Sequence, residues 1–285
     1  MNYFKKIDDR DIKDIIKIVL REDIGERDIT TVATIPKNKY AKAILLAKED
    51  CVICGLGIAA EVFKFQDKNI KFKPHVLDGQ KIKKGKIIAH IFGRAQSILT
   101  AERVALNFLS LLCGVATKTR AFVDKVKPYK AKILDTRKTI PGLRELEKYA
   151  VRIGGGYNHR MRLDEMILIK DNHIKVTRGY QRLPEVARGY KVEIEVKNLK
   201  EFKEALKLKP DIIMLDNMKV GDIKKVVQIR NYLSSKTRNP VPKLEASGGM
   251  NLKNVRRIAA CGVEMISIGA LTHSVQATDL SLEIL

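Results

Sequence analysis

Between residues 131 and 174 the chain gathers side chains suited to a negatively charged ligand. Ile133 and Leu134 run into Asp135, Thr136, Arg137, Lys138 and Thr139, and a glycine run at Gly154, Gly155 and Gly156 leads to Asn158, His159 and Arg160. A second apolar run from Met166 to Ile169 ends in Lys170, Asp171, Asn172 and His173. Cations delivered this close together repel one another unless anions sit among them. Farther along, Glu195, Asp216, the Ser247-Gly248-Gly249 loop and Gly269 each close another apolar run. The planar fork of arginine fits carboxylates and phosphates, lysine adds a point charge, and glycine lets backbone amides approach a phosphate. Two acids beside an anionic ligand call for a divalent cation between them, or for ribose hydroxyls and a growing positive charge to stabilise. The residues therefore describe a pocket for a polyanion carrying both carboxylate and phosphate, with magnesium as the expected cation. A lone Lys or Arg beyond a strand is usually a solvated loop charge, so it is their coincidence at strand ends that carries this reading. Lys170 is open to a second reading, a Schiff-base lysine whose pKa its cationic neighbours would depress.

The elements that must position these side chains alternate along the second half of the chain. Apolar runs at residues 133–134, 166–169, 192–196, 212–215, 243–246 and 265–268 are each followed by a polar or glycine loop, and most of those loops lead into a helical pattern. Strands separated by helix-length crossovers pair in parallel. A mononucleotide-binding fold would place its glycine loop after the first strand, whereas here the glycine loops follow the last two, as in β/α barrels that hold a phosphate there. The expected fold is α/β, an incomplete (β/α) barrel with active residues at the C-terminal ends of its strands. Upstream, residues 41–52 and 70–91 read as short strands with glycine turns, and a helix near residues 59–65 completes a small α+β unit. Residues 97–126 lack proline and hold apolar residues at helical spacing, which predicts a long helix bent near Gly114. Asp28-Ile29-Thr30-Thr31 reads as a turn capped by its own side chains.

Composition narrows the function. The 285-residue chain is long enough for two domains, its hydrophobic fraction of 45% is ordinary, and no run of apolar residues reaches a membrane span. No apolar leader follows Met1-Asn2-Tyr3-Phe4-Lys5-Lys6, which predicts a soluble, cytoplasmic protein. Four cysteines are too few for a disulfide framework, and the Cys51-Val52-Ile53-Cys54 spacing lacks a second pair, so strand packing is the expectation there. The net charge of +22 admits nucleic acid, an anionic small substrate or a lysine-rich surface. Aromatics at 6% leave few stacking platforms and no nucleic-acid-binding motif is visible, so no nucleic-acid partner is expected.

With those residues in place, the chain resembles the quinolinate phosphoribosyltransferase family. The resemblance runs almost end to end through Glu22-Asp23-Ile24-Gly25, Asp28-Ile29-Thr30-Thr31, Thr100-Ala101-Glu102-Arg103, Asp135-Thr136-Arg137-Lys138-Thr139 and Gly154-Gly155-Gly156-Tyr157-Asn158-His159-Arg160. It continues through Ile169-Lys170-Asp171-Asn172-His173, Leu215-Asp216-Asn217, Glu245-Ala246-Ser247-Gly248-Gly249 and Ser267-Ile268-Gly269-Ala270. The resemblance implies an N-terminal α/β sandwich domain over residues 1–105, completed by the tail 272–285, and a catalytic barrel over 106–271. It implies the reaction of quinolinate with phosphoribosyl pyrophosphate and magnesium to nicotinate mononucleotide, pyrophosphate and carbon dioxide, in a homodimer with shared sites or a higher assembly. It further implies that Arg137, His159, Arg160 and Lys170 hold quinolinate, with Arg103 arriving from the partner subunit. Lys138, Glu195 and Asp216, the catalytic set, would then hold the phosphoribosyl group and metal with Ser247, Gly248, Gly249, Gly269 and His273. The competing readings are a relative of the same fold with another acceptor base and a Schiff-base lyase using Lys170.

Overall fold

The computed structural model describes residues 9–177, 189–237 and 240–285, so the Met1 to Lys6 stretch lies outside the described residues. The chain forms two compact units. The first comprises Met1–Lys118, Ile140–Gly155 and Val275–Leu285, and the second Thr119–Thr139 and Gly156–Ser274.

The first unit opens with helices α1 (Asp9–Ile24) and α2 (Ile29–Thr34), the latter begun by Asp28, whose Oδ1 accepts the Thr31 amide at 2.9 Å. Asp28 Oδ2 also accepts the Thr100 hydroxyl at 3.1 Å, so this carboxylate caps one helix and ties it to another. Strands β1 (Tyr40–Ala47), β2 (Cys51–Val52), β3 (Lys71–Pro74), β4 (Lys81–Ile82) and β5 (Ile87–Arg94) surround helix α3 (Leu56–Gln66) in sequence. The main sheet has the order β12-β1-β5-β3, antiparallel throughout, where β12 is Leu280–Ile284 from the C-terminal tail. Cys51 and Cys54 are buried free thiols, and the Cys54 amide donates to Cys113 Sγ at 3.2 Å, so the spacing serves packing.

Helix α4 (Ala95–Val126) is 32 residues long and unbroken, so the expected boundary at residue 105 falls inside one rigid element and the compact units divide at Lys118 instead. By length and hydropathy α4 could cross a membrane, but 61% of its most apolar window is buried inside the protein, as in a core helix. Gly114 has a different reason from the expected bend: a Cβ there would lie 2.2 Å from the Gln276 carbonyl oxygen. The tail therefore passes directly against the helix backbone. Helix α5 (Arg144–Ile153) also belongs to the first unit, where its Tyr149 hydroxyl donates to Asp78.

The second unit is a single parallel sheet with the order β6-β11-β10-β9-β8-β7. Its strands are β6 (Lys132–Leu134), β7 (Ile167–Ile169), β8 (Val192–Val196), β9 (Ile212–Asp216), β10 (Lys243–Ser247) and β11 (Met265–Ser267). Between them run α6 (Asp171–Thr177), α7 (Leu199–Lys207), α8 (Val220–Lys236) and α9 (Val255–Ala259), with α10 (Ala270–His273) at the end. Each strand from β7 onward pairs with its successor and the last pairs back with β6, which is barrel order interrupted only between β6 and β7. At that opening Tyr157 makes a parallel bridge to Leu134, its amide donating to the Ile133 carbonyl at 2.8 Å. The expected incomplete barrel is thus the observed one. Helix α7 starts from a local signal: Asn198 Oδ1 accepts the Glu201 amide at 3.0 Å while Asn198 Nδ2 donates to the Glu201 carboxylate at 2.7 Å.

Candidate active site

A cavity of about 760 Å³ opens at the C-terminal ends of the barrel strands. Thr136, Arg137 and Lys138 reach it from β6, His159 and Arg160 from the bridging loop, Lys170 from β7, Glu195 from β8 and Asp216 from β9. Ser247, Gly248 and Gly249 follow β10, and Gly269 and His273 follow β11. Twelve of the thirteen residues singled out in the sequence therefore line one cavity. The thirteenth, Arg103, occupies an exposed position on α4 in the first unit and does not line it.

Burial first, and then the like charge of Arg137, make the Arg160 guanidinium easier to deprotonate than an ordinary arginine. Arg160 is anchored by one bond from its Nη1 to the Met166 carbonyl at 2.8 Å. The Nε atoms of both arginines are buried without a hydrogen-bond partner among the described residues. Both residues line the cavity, and two guanidinium groups whose charges press on one another there favour an anionic acceptor.

Lys170 Nζ lies 3.2 Å from Glu195 Oε2, and this half-exposed lysine has its amide bound to His173 Nδ1 at 2.9 Å. Lys197 turns to Asp171 at 2.7 Å, holding that carboxylate down at about 2 and keeping it ionised. Asp216 accepts from Asn217 Nδ2 at 3.1 Å, and Asn217 has φ +54°, a left-handed conformation that asparagine tolerates better than most residues. Gly248, at φ +87°, packs so closely on that asparagine that a Cβ would lie 2.3 Å from Asn217 Oδ1. At Gly269 a Cβ would come 3.1 Å from both the Lys138 and His273 side chains, so this glycine keeps room between the two. Thr272 Oγ1 donates to the Lys138 carbonyl at 2.6 Å and fixes the loop after β6 from the other side.

Beneath the cations lies a layer that sequence reasoning missed. Asp135, fully buried, accepts the His159 amide at 2.9 Å and the Asn158 side-chain amide. Glu193 and Glu245 are fully buried, and with His159 they bring three potential ligand atoms within 4.8 Å of one another. Burial first, and then the Glu193 charge, raise the Glu245 carboxyl from an ordinary 4.5 to about 7. The sequence did carry a signal for these residues: Glu193 and Glu195 occupy alternate positions of a strand buried along its whole length, and such positions point to one face. A glutamate there faces the barrel interior and needs a reason.

The chemistry of the arrangement is anion binding at two poles. One pole is the Arg137, Arg160 and Lys170 group, and the other the two glycine loops with Lys138 and His273. Glu195 and Asp216 stand between, two oxygen donors of the hard type that magnesium prefers, with water and phosphate oxygens completing such a shell. Glu195 is already in contact with Lys170, so the donor set suits a cation held jointly with a ligand.

Comparison with known proteins accords with this geometry. The family model described as quinolinate phosphoribosyl transferase, C-terminal domain, matches residues 115–283, and that of the N-terminal domain matches residues 28–113. A protein of Methanocaldococcus jannaschii named probable nicotinate-nucleotide pyrophosphorylase [carboxylating] is 44% identical over 276 residues, covering 95% of this chain and 96% of its own. A chloroplastic nicotinate-nucleotide pyrophosphorylase [carboxylating] of Oryza sativa is 41% identical, covering 96% of this chain and 78% of its own. The solved structure of nicotinate-nucleotide pyrophosphorylase from Francisella tularensis superposes with a TM-score of 0.90 at 38% identity, covering 98% of both chains.

Proposed function

Because the chain belongs to the quinolinate phosphoribosyltransferase family, we propose that its barrel cavity joins quinolinate to the ribose of phosphoribosyl pyrophosphate and releases carbon dioxide, a step of NAD synthesis. The observation that carries the site assignment is the convergence of Arg137, Arg160 and Lys170 in the lining of one cavity. Quinolinate brings two adjacent carboxylates, and two guanidinium forks can each take one. Lys170 adds a third cation. Held this way, the pyridine nitrogen is presented to the anomeric carbon, and positioning of that kind removes much of the barrier to a two-substrate reaction.

As the nitrogen–carbon bond forms and the carbon–oxygen bond to pyrophosphate breaks, positive charge grows on the ribose. Glu195 or Asp216 stabilises it, while Lys138, His273 and the amides around Gly248, Gly249 and Gly269 take the phosphates. Glu195 and Asp216 would hold magnesium, which would supply charge neutralisation for the leaving pyrophosphate. The ring nitrogen, now cationic, stabilises the electron pair left on the neighbouring carbon when its bond to the carboxylate breaks, and that carbon takes a solvent proton with this pair. No side chain becomes covalently attached in this scheme.

The assembly belongs to the same proposal: a homodimer in which Arg103 of each chain serves the partner's cavity. A cytoplasmic location accords with four free thiols. Pyrophosphate release tests the function, with quinolinate or nicotinate offered as acceptor. Release with quinolinate alone is the expected result. Release with nicotinate at an equal rate supports a relative with another acceptor base, and borohydride inactivation dependent on Lys170 supports the lyase.

A further inference from the structure

The cluster of His159, Glu193 and Glu245 has the composition of a metal centre, but its hydrogen bonds point elsewhere. The Arg160 amide donates to His159 Nδ1 at 2.9 Å, so that nitrogen carries the lone pair. The hydrogen of the neutral ring is then on Nε2, which faces Glu193 Oε2 at 2.9 Å and Glu245 Oε1 at 3.7 Å. A cation would need the Nε2 lone pair, which this tautomer does not offer. Both ring nitrogens are engaged within the protein. His159 lines the cavity with its ring held in this tautomer from both sides.

We propose that Glu193 is a positioning residue: by accepting the His159 Nε2 hydrogen it fixes the tautomer whose Nδ1 receives the Arg160 amide, and so sets the aim of the Arg160 guanidinium. The loop is then pinned at each residue in turn. Asn158 and the His159 amide are held by Asp135, the His159 ring by Glu193, and the Arg160 side chain by the Met166 carbonyl. This bracing falls at the opening between β6 and β7, where the backbone pairing among the described residues is the single bridge from Tyr157 to Leu134. Glu193 also lies where its charge favours the protonated Arg160, opposing the repulsion from Arg137. Glu193 Oε1 has no hydrogen-bond partner among the described residues, so the part of this carboxylate not engaged by His159 acts on Arg160 through its charge.

The inference rests on the dicarboxylate reading, and one experiment separates the two. Full-length protein labelled with ¹⁵N-histidine is observed by long-range proton–nitrogen correlation, and the His159 ring is assigned by its loss in His159→Asn. We expect the Nε2–H tautomer in the free protein, unchanged when quinolinate saturates the site. Glu193→Ala should mix the tautomers and raise KM for quinolinate by roughly tenfold to a hundredfold while KM for phosphoribosyl pyrophosphate moves less than about threefold. Glu193→Gln, whose amide oxygen can accept the same hydrogen, should restore the tautomer and most of the affinity. A merely structural role would not tie one substrate's KM to the protonation pattern of one ring. A ring whose nitrogens change pattern on quinolinate binding, or a tautomer that survives Glu193→Ala, overturns the proposal. If Glu193→Ala does not fold, the wild-type and Glu193→Gln spectra decide alone. Absence of quinolinate turnover in the wild type would instead count against the proposed function, and the free-protein tautomer would still be read.

Discussion

Arg137 has no ion pair among the described residues, although its Nε is buried, and this makes it the clearest single test of a residue's role. Removing a fork that holds a carboxylate should lower kcat/KM for quinolinate on the order of a hundredfold or more in Arg137→Ala, measured by steady-state kinetics at saturating phosphoribosyl pyrophosphate. Unchanged quinolinate affinity would detach Arg137 from the acceptor. Glu245 gives a pH prediction. Its carboxyl is raised from 4.5 to about 7, so between those values the folded protein binds a proton that the unfolded chain has lost. The stabilisation it provides is therefore present at low pH and is lost as pH rises through about 7. Relative to the wild type, Glu245→Gln should be nearly equal in urea unfolding at low pH and more stable above that range, by on the order of a few kcal/mol. The cations at the strand ends were legible in the sequence because polar clusters after apolar runs stand out. Asp135 and Glu245 were not, since a buried acid and a solvated one have the same letter, and Glu193 was marked only by sharing a strand face with Glu195.

At the scale of elements, two glycines hold the frame by close approach. Gly248 combines a left-handed backbone with a side chain in its way, so Gly248→Ala should shift the loop after β10 and raise KM for phosphoribosyl pyrophosphate roughly tenfold, with a stability loss of about 1–3 kcal/mol. Gly114→Ala places a methyl group against the Gln276 carbonyl. It should destabilise by about 1–3 kcal/mol and speed amide exchange in β12 and its partner β1, read by mass spectrometry. The strands and their order could be inferred from periodicity and crossover length, because a buried parallel strand leaves a continuous apolar run. The two uses of glycine differ in this respect. The glycine loops after β10 and β11 were readable by analogy with phosphate-binding barrels, whereas Gly114 in the middle of a helix gives no hint that a distant tail crosses it. The division of α4 between units was hidden for a related reason: a helix pattern says nothing of which neighbours its ends choose.

For the whole molecule, the proposed dimer makes a quantitative forecast. If Arg103 serves the partner's cavity while Arg137 serves its own, mixing inactive Arg103→Ala and Arg137→Ala chains should regenerate one intact site per mixed dimer. Activity near a quarter of the wild type is then expected after subunit exchange, and none if every site is built from one chain. Net charge of +22 does not by itself select a partner, and only its local arrangement in the second unit gives it chemical meaning. The central claim is that this cavity holds a dicarboxylate beside a phosphoribosyl donor and removes one carboxylate after the nucleotide bond forms. Quinolinate labelled in its 2-carboxylate, incubated with the protein, phosphoribosyl pyrophosphate and magnesium, tests it most directly. Equal amounts of labelled carbon dioxide and unlabelled nicotinate mononucleotide are expected, with neither formed when the phosphoribosyl donor is withheld; label retained in the nucleotide, or released without the donor, would contradict it.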